Sequence, residues 1–146
     1  MISRLERFNE WWFTGKVRRE LAPRFKRYAF ARMLSAASER QILIVAGLRR
    51  TGKTTLMYQV IESLLETEDP KRLLYFSFED AESGPREVLE HYEKEVLKKP
   101  LEEAGRIYVF LDEIQYAGGW AAAVKQFYDL YPNLKFFVSG SSSLLL

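Results

Sequence analysis

The sequence predicts a three-layer α/β/α fold, in which a mostly parallel sheet carries helices on both faces. From Gln41 onward, four short apolar runs alternate with three segments of helical period. The runs are Ile42 to Ala46, Leu73 to Phe78, Ile107 to Leu111 and Phe136 to Val138. Their nearly continuous hydrophobicity and their β-branched and aromatic residues are typical of strands buried on both faces. Such an alternation indicates right-handed β-α-β connections and hence a parallel sheet.

The three segments between these strands place apolar residues at steps of three and four. They run from Leu56 to Leu65, from Val88 to Val96 and from Trp120 to Tyr131. This spacing gives each helix one apolar face, which can pack on the sheet. Pro132 follows the third segment and is a reasonable stop signal.

The chain divides into an N-terminal extension, residues 1–39, and an α/β core, residues 40–146. We expect the extension to be helical and to pack on the core. Pro23 can occupy the first turn of a helix that runs through Met33 and Ala36. The stretch before Pro23 contains Trp11, Trp12 and Phe13, and its apolar residues show neither a helical nor a strand period.

Composition excludes several kinds of chemistry. The 146 residues include no cysteine and one histidine, His91, so thiolate metal sites, cysteine nucleophiles and histidine-rich metal sites are ruled out. No apolar run approaches the roughly 20 residues that cross a bilayer, and the N-terminus does not resemble a signal peptide. We therefore expect a cytoplasmic protein with no membrane segment.

Charge is distributed unevenly along the chain. Residues 1–50 carry 12 basic and 4 acidic residues, net +8, whereas residues 51–146 carry 10 and 16, net −6, which together give the overall +2. A basic N-terminal third can mark a surface for nucleic acid or phosphate, but a solvated helix face has the same pattern. Both interpretations stay open at this stage.

A glycine-rich motif follows the first predicted strand directly. The segment GLRRTGKTT fits the pattern G-x-x-x-x-G-K-[ST] between a strand and a helix. Its glycines allow successive N–H groups to point into one concavity at the positive end of a helix, which suits an oligophosphate. The predicted phosphate-binding residues are Gly47, Leu48, Arg49, Arg50, Thr51, Gly52, Lys53, Thr54 and Thr55.

Individual residues of this motif have separate predicted roles. Lys53, expected to be an exposed lysine, would reach the β- and γ-phosphates, and Thr54 would give its hydroxyl to Mg²⁺. Thr55 would contact one phosphate further back. Arg49 and Arg50 suit either phosphate or water.

Two adjacent acidic residues directly follow the third predicted strand. Asp112 and Glu113 follow the apolar run IYVFL, at the edge where ligands bind in open α/β sheets. We expect Asp112 to hold Mg²⁺ through water and Glu113 to orient the attacking water. A second acid beside the metal aspartate indicates water as the phosphoryl acceptor, and so hydrolysis rather than transfer to a small molecule.

A serine cluster follows the fourth predicted strand. If that strand lies between the first and third, one serine hydroxyl comes near the γ-phosphate and can sense it. Ser141 is our choice and Ser139 is the alternative. An Asn-Lys-x-Asp motif for guanine, a G-x-G-x-x-G dinucleotide motif and protein-kinase signatures are all absent from the sequence.

Together these motifs resemble a known family. GLRRTGKTT, FLDEIQ with Gln115, Trp120, the pair Tyr128 and Asp129, and SGSSS are similar to the prokaryotic archaeal-type AAA ATPases. These belong to the additional-strand, catalytic-glutamate division of P-loop NTPases. The resemblance covers about residues 40–146, and NEWWFTGKV resembles the lead-in that precedes the phosphate loop in such proteins.

The resemblance implies a fold, an activity and a set of site residues. It implies strand order 5-1-4-3-2, with the fifth strand missing from this chain, and a Mg²⁺-dependent ATPase. It places catalysis at Lys53 and Glu113, sensing near Ser141 and Mg²⁺ at Thr54 and Asp112. The alternative is a nucleotide-dependent switch or nucleic-acid-binding module with slow hydrolysis.

Three further expectations follow from this interpretation. We expect the chain to be a fragment that binds ATP but hydrolyses it weakly, since later arginines of such ATPases are missing. The uncovered strand edge and Leu144 to Leu146 would favour self-association into a homo-oligomer. The aromatic side chains of Trp11, Trp12 and Phe13 would cover either a helix layer or the adenine ring. We prefer the first interpretation, in which they pack on a helix layer.

Overall fold

A four-stranded parallel sheet forms the centre of the protein. The computed structural model describes residues 2–47 and 52–141, and their strands lie in the order β1-β4-β3-β2. Their bounds are β1 Leu43–Ala46, β2 Leu73–Ser77, β3 Ile107–Asp112 and β4 Leu134–Gly140. The fourth strand therefore lies between the first and third. A fifth strand beside β1 stays a prediction.

Helices connect and flank these strands. Their bounds are α1 Ile2–Phe8, α2 Trp11–Thr14, α3 Tyr28–Ala36, α4 Lys53–Leu64, α5 Pro85–His91 and α6 Trp120–Leu130, and α5 continues as π-helical turns over Tyr92–Leu97. No helix within the described residues is long and apolar enough to span a membrane.

The core is deepest at the two central strands. Every residue of β3 and β4 is buried, as their apolar runs predict, and this includes the polar residues Asp112, Lys135 and Ser139. Phe110 and Phe137 stack across them with ring centroids 4.4 Å apart. By contrast β1 lies at an edge, where Ile44 is 45% exposed.

Strand register brings the polar strand ends to one edge of the sheet. Ala46 pairs with Gly140, and Ser77 pairs with Asp112. Because all four strands are parallel, the residues that follow β1, β2, β3 and β4 meet at this edge. The sequence motifs at Gly47 and Asp112 are thereby brought together.

The helix predicted from Pro23 is wrong in its first turn. Helix α3 begins at Tyr28, and the residues from Pro23 to Arg27 are not helical. The side-chain amide of Gln59 in α4 donates to the carbonyls of Pro23 and Phe25, at 2.8 and 2.9 Å. This tertiary contact uses carbonyls that a helix would need, so it overrides the local proline signal.

The N-terminal aromatic stretch covers the edge of β2. Asn9 donates to the carbonyl of Tyr75 at 2.8 Å and accepts from its N–H at 2.6 Å. The indole N–H groups of Trp11 and Trp12 both donate to the carbonyl of Leu73. At this edge, opposite β1, these side chains satisfy backbone groups that an open strand edge would leave unpaired.

Packing therefore accounts for the two tryptophans. Trp11 is fully buried and Trp12 is 7% exposed. Trp11 lies edge-on to Tyr58 of α4, and Trp12 stacks on Tyr92. Neither ring leaves a face open for a nucleotide base, whereas Phe13 is exposed and takes no part in this cover.

Candidate functional site

The carboxyl edge of the sheet holds a cleft of about 560 Å³. The cleft lies between the N-terminus of α4 and the ends of β2 and β3. Its lining includes Phe8, Gly52, Lys53, Thr54, Thr55, Tyr75, Ser77, Glu79, Asp112 and Glu113. Six of these ten belong to the predicted site, and Tyr75, Ser77, Glu79 and Phe8 were not anticipated.

The glycine motif joins β1 to α4 at this cleft. Gly47 donates its N–H to the carbonyl of Gly140 at 3.3 Å, which fixes the start of the loop on the neighbouring strand. Gly52 has φ +83°, in the left-handed region that favours glycine, and α4 begins at the next residue. The predicted binding residues Leu48, Arg49, Arg50 and Thr51 lie outside the described residues.

Lys53 is buried, so its predicted exposure is wrong. Its side chain is 7% exposed, and its Nζ donates to the carbonyl of Gly47 at 3.0 Å. The amine thus lies across the loop that joins β1 to α4. The carbonyl of Gly47 compensates part of the cost of burying this charge.

Asp112 accepts hydrogen bonds from four donors around the cleft. Its Oδ2 accepts from the Thr54 hydroxyl at 2.7 Å and from the Tyr75 hydroxyl. Its Oδ1 accepts from the Ser139 hydroxyl and from the N–H of Glu113 at 3.1 Å. The carboxylate is 1% exposed, and these four donors compensate its burial.

Tyr75 is a site residue that sequence reasoning missed. Its ring lies 4.6 Å from that of Tyr58 in α4, and both rings are buried. Burial, followed by the charge of Asp112, raises the pKa of Tyr75 well above its ordinary value. The phenol therefore keeps its proton and remains a donor to Asp112. The sequence held one signal for this role. Tyr75 lies two residues before Ser77, so both side chains point to the same face of β2 near the edge of the sheet that holds the cleft.

Glu113 has an unusual backbone conformation at the end of β3. Its φ is +54°, a left-handed value that costs a non-glycine residue of order 1–3 kcal/mol. The hydrogen bonds from its N–H to Asp112 Oδ1 and to Ser139 Oγ, the latter at 3.3 Å, stabilise this turn. The turn brings the Glu113 side chain to the lining of the cleft.

Gln115 connects Glu113 to the end of β4. Its Nε2 donates to Glu113 Oε2 at 3.4 Å, and its Oε1 accepts from the N–H of Ser141 at 3.3 Å. The sequence motif contained this glutamine without indicating a role. In the structure it restrains the Glu113 carboxylate.

The two candidate sensor serines occupy different positions. Ser139 is fully buried, and its hydroxyl donates to Asp112. Ser141 lies one residue beyond β4, is half-buried and meets Gln115 through its backbone. Ser142 and Ser143, as well as Leu144 to Leu146, lie outside the described residues.

The donor set at Thr54 and Asp112 fits a magnesium ion. A hydroxyl oxygen and a carboxylate oxygen 2.7 Å apart meet in the cleft. Mg²⁺ prefers oxygen ligands, and at nucleotide sites it uses one or two protein groups together with phosphates and waters. In the described part of the chain no group of three or more acidic or histidine side chains could hold a metal by itself.

Comparison with known proteins identifies relatives over nearly three quarters of the chain. An uncharacterised protein of Methanocaldococcus jannaschii is 32% identical over 110 residues, which are 74% of this chain and 23% of that protein. An uncharacterised protein of Haemophilus influenzae is 27% identical over 106 residues, 72% of this chain and 26% of that protein. The chain spans about a quarter of the length of these curated relatives.

A solved structure and a family profile also match. The structure of C. elegans PCH-2 has 13% sequence identity and a TM-score of 0.49, covering 92% of this chain and 41% of that one. The profile of the AAA domain family matches residues 39–146. Because this profile covers most of the sequence, including both motifs of the cleft, the chain belongs to the AAA domain family.

Proposed function

We propose that this chain binds ATP with Mg²⁺ and hydrolyses it, as an AAA ATPase domain of the prokaryotic archaeal type. The observation that supports this most strongly is the contact between Thr54 Oγ1 and Asp112 Oδ2, at 2.7 Å. It joins the start of α4 to the end of β3 beside Glu113. Family membership supports nucleotide binding at this cleft.

The residues from Gly47 to Thr55 bind the phosphates in this proposal. Backbone N–H groups at the start of α4 meet the phosphate oxygens at the positive end of the helix. The Lys53 amine exchanges the carbonyl of Gly47 for phosphate oxygens. This exchange replaces a neutral acceptor with a charged one, so it favours the bound state.

Thr54 and Asp112 hold Mg²⁺. When bound, the ion neutralises charge that develops on the phosphate oxygens. Asp112 already accepts four hydrogen bonds, so its orientation is fixed before any ligand arrives. This preorganisation lowers the cost of ordering the site when it is occupied.

Glu113 is the residue that orients the attacking water. The water oxygen forms a bond to the γ-phosphorus, and the bond to the β,γ-bridging oxygen breaks to release ADP and phosphate. The carboxylate of Glu113 accepts the hydrogen bond from the water, positions it and takes its proton as the bond to phosphorus forms. Ser141 is the proposed sensor, since it is half-buried just beyond β4, whereas Ser139 is fully buried and its hydroxyl donates to Asp112.

The nucleic-acid alternative has weaker support. It rests on the basic N-terminal third, yet some of these basic side chains are paired within the chain. Arg18 meets Glu10 at 3.0 Å, and Arg19 meets Glu62 at 3.3 Å. ATP binding and hydrolysis is therefore the function that the contacts of the cleft favour.

Single-turnover phosphate release from ATP tests the proposal, because it can follow even a slow reaction. Glu113→Gln should preserve ATP affinity and slow release by about 10² to 10⁴, the usual contribution of a positioned base. Glu102→Gln, at an exposed site that precedes β3, whereas Glu113 follows that strand, should change neither quantity. Equal release rates for Glu113→Gln and the parent would contradict the assignment, and a parallel GTP titration tests base preference.

A further inference from the structure

We propose that Arg27 of the N-terminal extension is a phosphate-binding residue of the same nucleotide site. This inference rests on the proposed function and adds a contact from outside the region that the family profile matches, residues 39–146. The ligand class is the phosphate chain of a nucleotide. The guanidinium of Arg27 would therefore meet the bound nucleotide beside the loop that precedes α4.

Proximity to Gly52 is the first observation. A Cβ atom on residue 52 would lie 2.3 Å from Nη2 of Arg27 and 2.9 Å from its Cζ. The guanidinium therefore lies directly against the last glycine of the phosphate loop. A side chain at position 52 would displace the guanidinium from this place, and it would also be strained by φ +83°.

The backbone around Arg27 is fixed on both sides. Gln59 of α4 holds the carbonyls of Pro23 and Phe25. Arg27 itself precedes the first residue of α3, and its carbonyl accepts from the N–H of Phe30 at 3.0 Å. The side chain thus projects from a positioned segment rather than from a loose tail.

Charge at this position indicates an anion. The N-terminus of α4 carries the positive end of the helix dipole, and Lys53 adds a further positive charge. Arg27 is exposed, and among the described ion pairs none involves it. Arg27, Lys53 and the helix end together make this part of the surface positive, and phosphate is the anion that the guanidinium fork matches.

Binding of two probes to the chain tests the inference. The probes are Mg-ATP and inorganic tripolyphosphate, which shares the phosphates and lacks the nucleoside. Arg27→Ala should weaken the binding of both by a similar factor, about 10-fold or more, since a charge-assisted hydrogen bond contributes about 1.5–3 kcal/mol. Arg27→Lys should recover part of the loss, because it restores the charge without the fork.

Matched controls separate this inference from the proposed function. Arg24→Ala changes another exposed arginine of the same segment and should bind like the parent. If the parent does not bind ATP, the proposed function fails. If the parent binds and Lys53→Ala does not, while Arg27→Ala equals the parent, only the Arg27 assignment is wrong.

Two other outcomes are also decisive. A loss confined to ATP, with tripolyphosphate unaffected, would show that Arg27 meets the nucleoside and would overturn the phosphate assignment. An equal loss in Arg27→Ala and Arg24→Ala would reduce the effect to general charge and would also overturn it. The melting temperature of each variant without ligand establishes that it is folded, and Arg27→Gln substitutes for Arg27→Ala if the latter is not.

Discussion

The hydroxyl of Tyr75 donates to Asp112 Oδ2, the same carboxylate oxygen that accepts from Thr54. Tyr75 lies inside β2 and is 2% exposed, so this donor is part of the core. It therefore links the packing of the sheet to the orientation of the proposed metal ligand. Tyr75 is a positioning residue in this account, because it acts through Asp112.

Tyr75→Phe should raise the Mg²⁺ concentration required for stabilisation by ATP several-fold. The change keeps the ring but leaves Asp112 with one donor fewer and less firmly oriented. Binding of ATP without Mg²⁺ should be unchanged, and unfolding by urea should show a loss of about 1.5–3 kcal/mol. Tyr92→Phe is the matched control, since its hydroxyl donates to the carbonyl of Lys71 away from the cleft. An Mg²⁺ dependence equal to that of the parent would refute the positioning role.

Thr54→Val and Thr55→Val should separate metal binding from phosphate binding. Both changes replace a hydroxyl with a methyl group of similar shape, at neighbouring positions of α4. Thr54→Val removes the hydroxyl that meets Asp112, so we expect the Mg²⁺ dependence of ATP affinity to be largely lost. Thr55→Val should weaken ATP affinity while the Mg²⁺ dependence is kept. Isothermal titration with and without Mg²⁺ measures both, and indistinguishable profiles for the two variants would contradict the assignment.

Asn9→Ala should destabilise the fold without touching the cleft directly. Asn9 is fully buried and pairs with both the N–H and the carbonyl of Tyr75. Its removal leaves two buried backbone groups of an edge strand unpaired, at about 1–3 kcal/mol for each group. Urea unfolding should show a loss of at least about 2 kcal/mol, compared with almost none for the exposed control Glu102→Ala. A loss below about 1 kcal/mol would show that water or other groups satisfy this edge.

Alkaline pH should destabilise the protein partly through Tyr58. Burial raises the pKa of Tyr58 from 10.0 to about 12. The unfolded chain therefore loses this proton at a lower pH than the folded chain does. The resulting stability is complete below pH 10 and is lost as the pH rises towards about 12.

Tyr58→Phe isolates this contribution. Between pH 10 and 12 its free energy of unfolding should fall less steeply than that of the parent, by up to about 1.4 kcal/mol per pH unit. Tyr28→Phe, at an 81% exposed position, should keep the parent slope. Parallel slopes for Tyr58→Phe and the parent would contradict the raised pKa.

Local patterns predicted the parts of the site that lie close together in the sequence. The glycine loop with Lys53 and Thr54 follows one strand, and Asp112 with Glu113 follows another. Strand periodicity placed both at one sheet edge, and the parallel four-strand sheet agrees with that expectation. Each of these inferences depends on the spacing of neighbouring residues.

Long-range contacts account for what the sequence did not reveal. The bond from Tyr75 to Asp112 spans 37 residues, and the bonds from Asn9 to Tyr75 span 66. No local sequence pattern predicts such pairs, because the presence of each residue in the sequence is explained equally well by packing in the core. The same reason applies to Pro23, whose carbonyl pairs with Gln59 instead of extending α3.

Thermal unfolding with Mg-ATP, in the parent and in Lys53→Ala, tests the central claim most directly. At a hundred times its dissociation constant, ATP should stabilise the parent by about 2.7 kcal/mol, and Lys53→Ala should lose most of that increase. Because Lys53 is buried, its loss can lower the melting temperature by itself, so each shift is measured from the ligand-free melting temperature of the same variant. Lys71→Ala, which removes an exposed lysine, serves as the control. A shift in Lys53→Ala as large as in the parent, or no shift in the parent, would contradict nucleotide binding at this cleft.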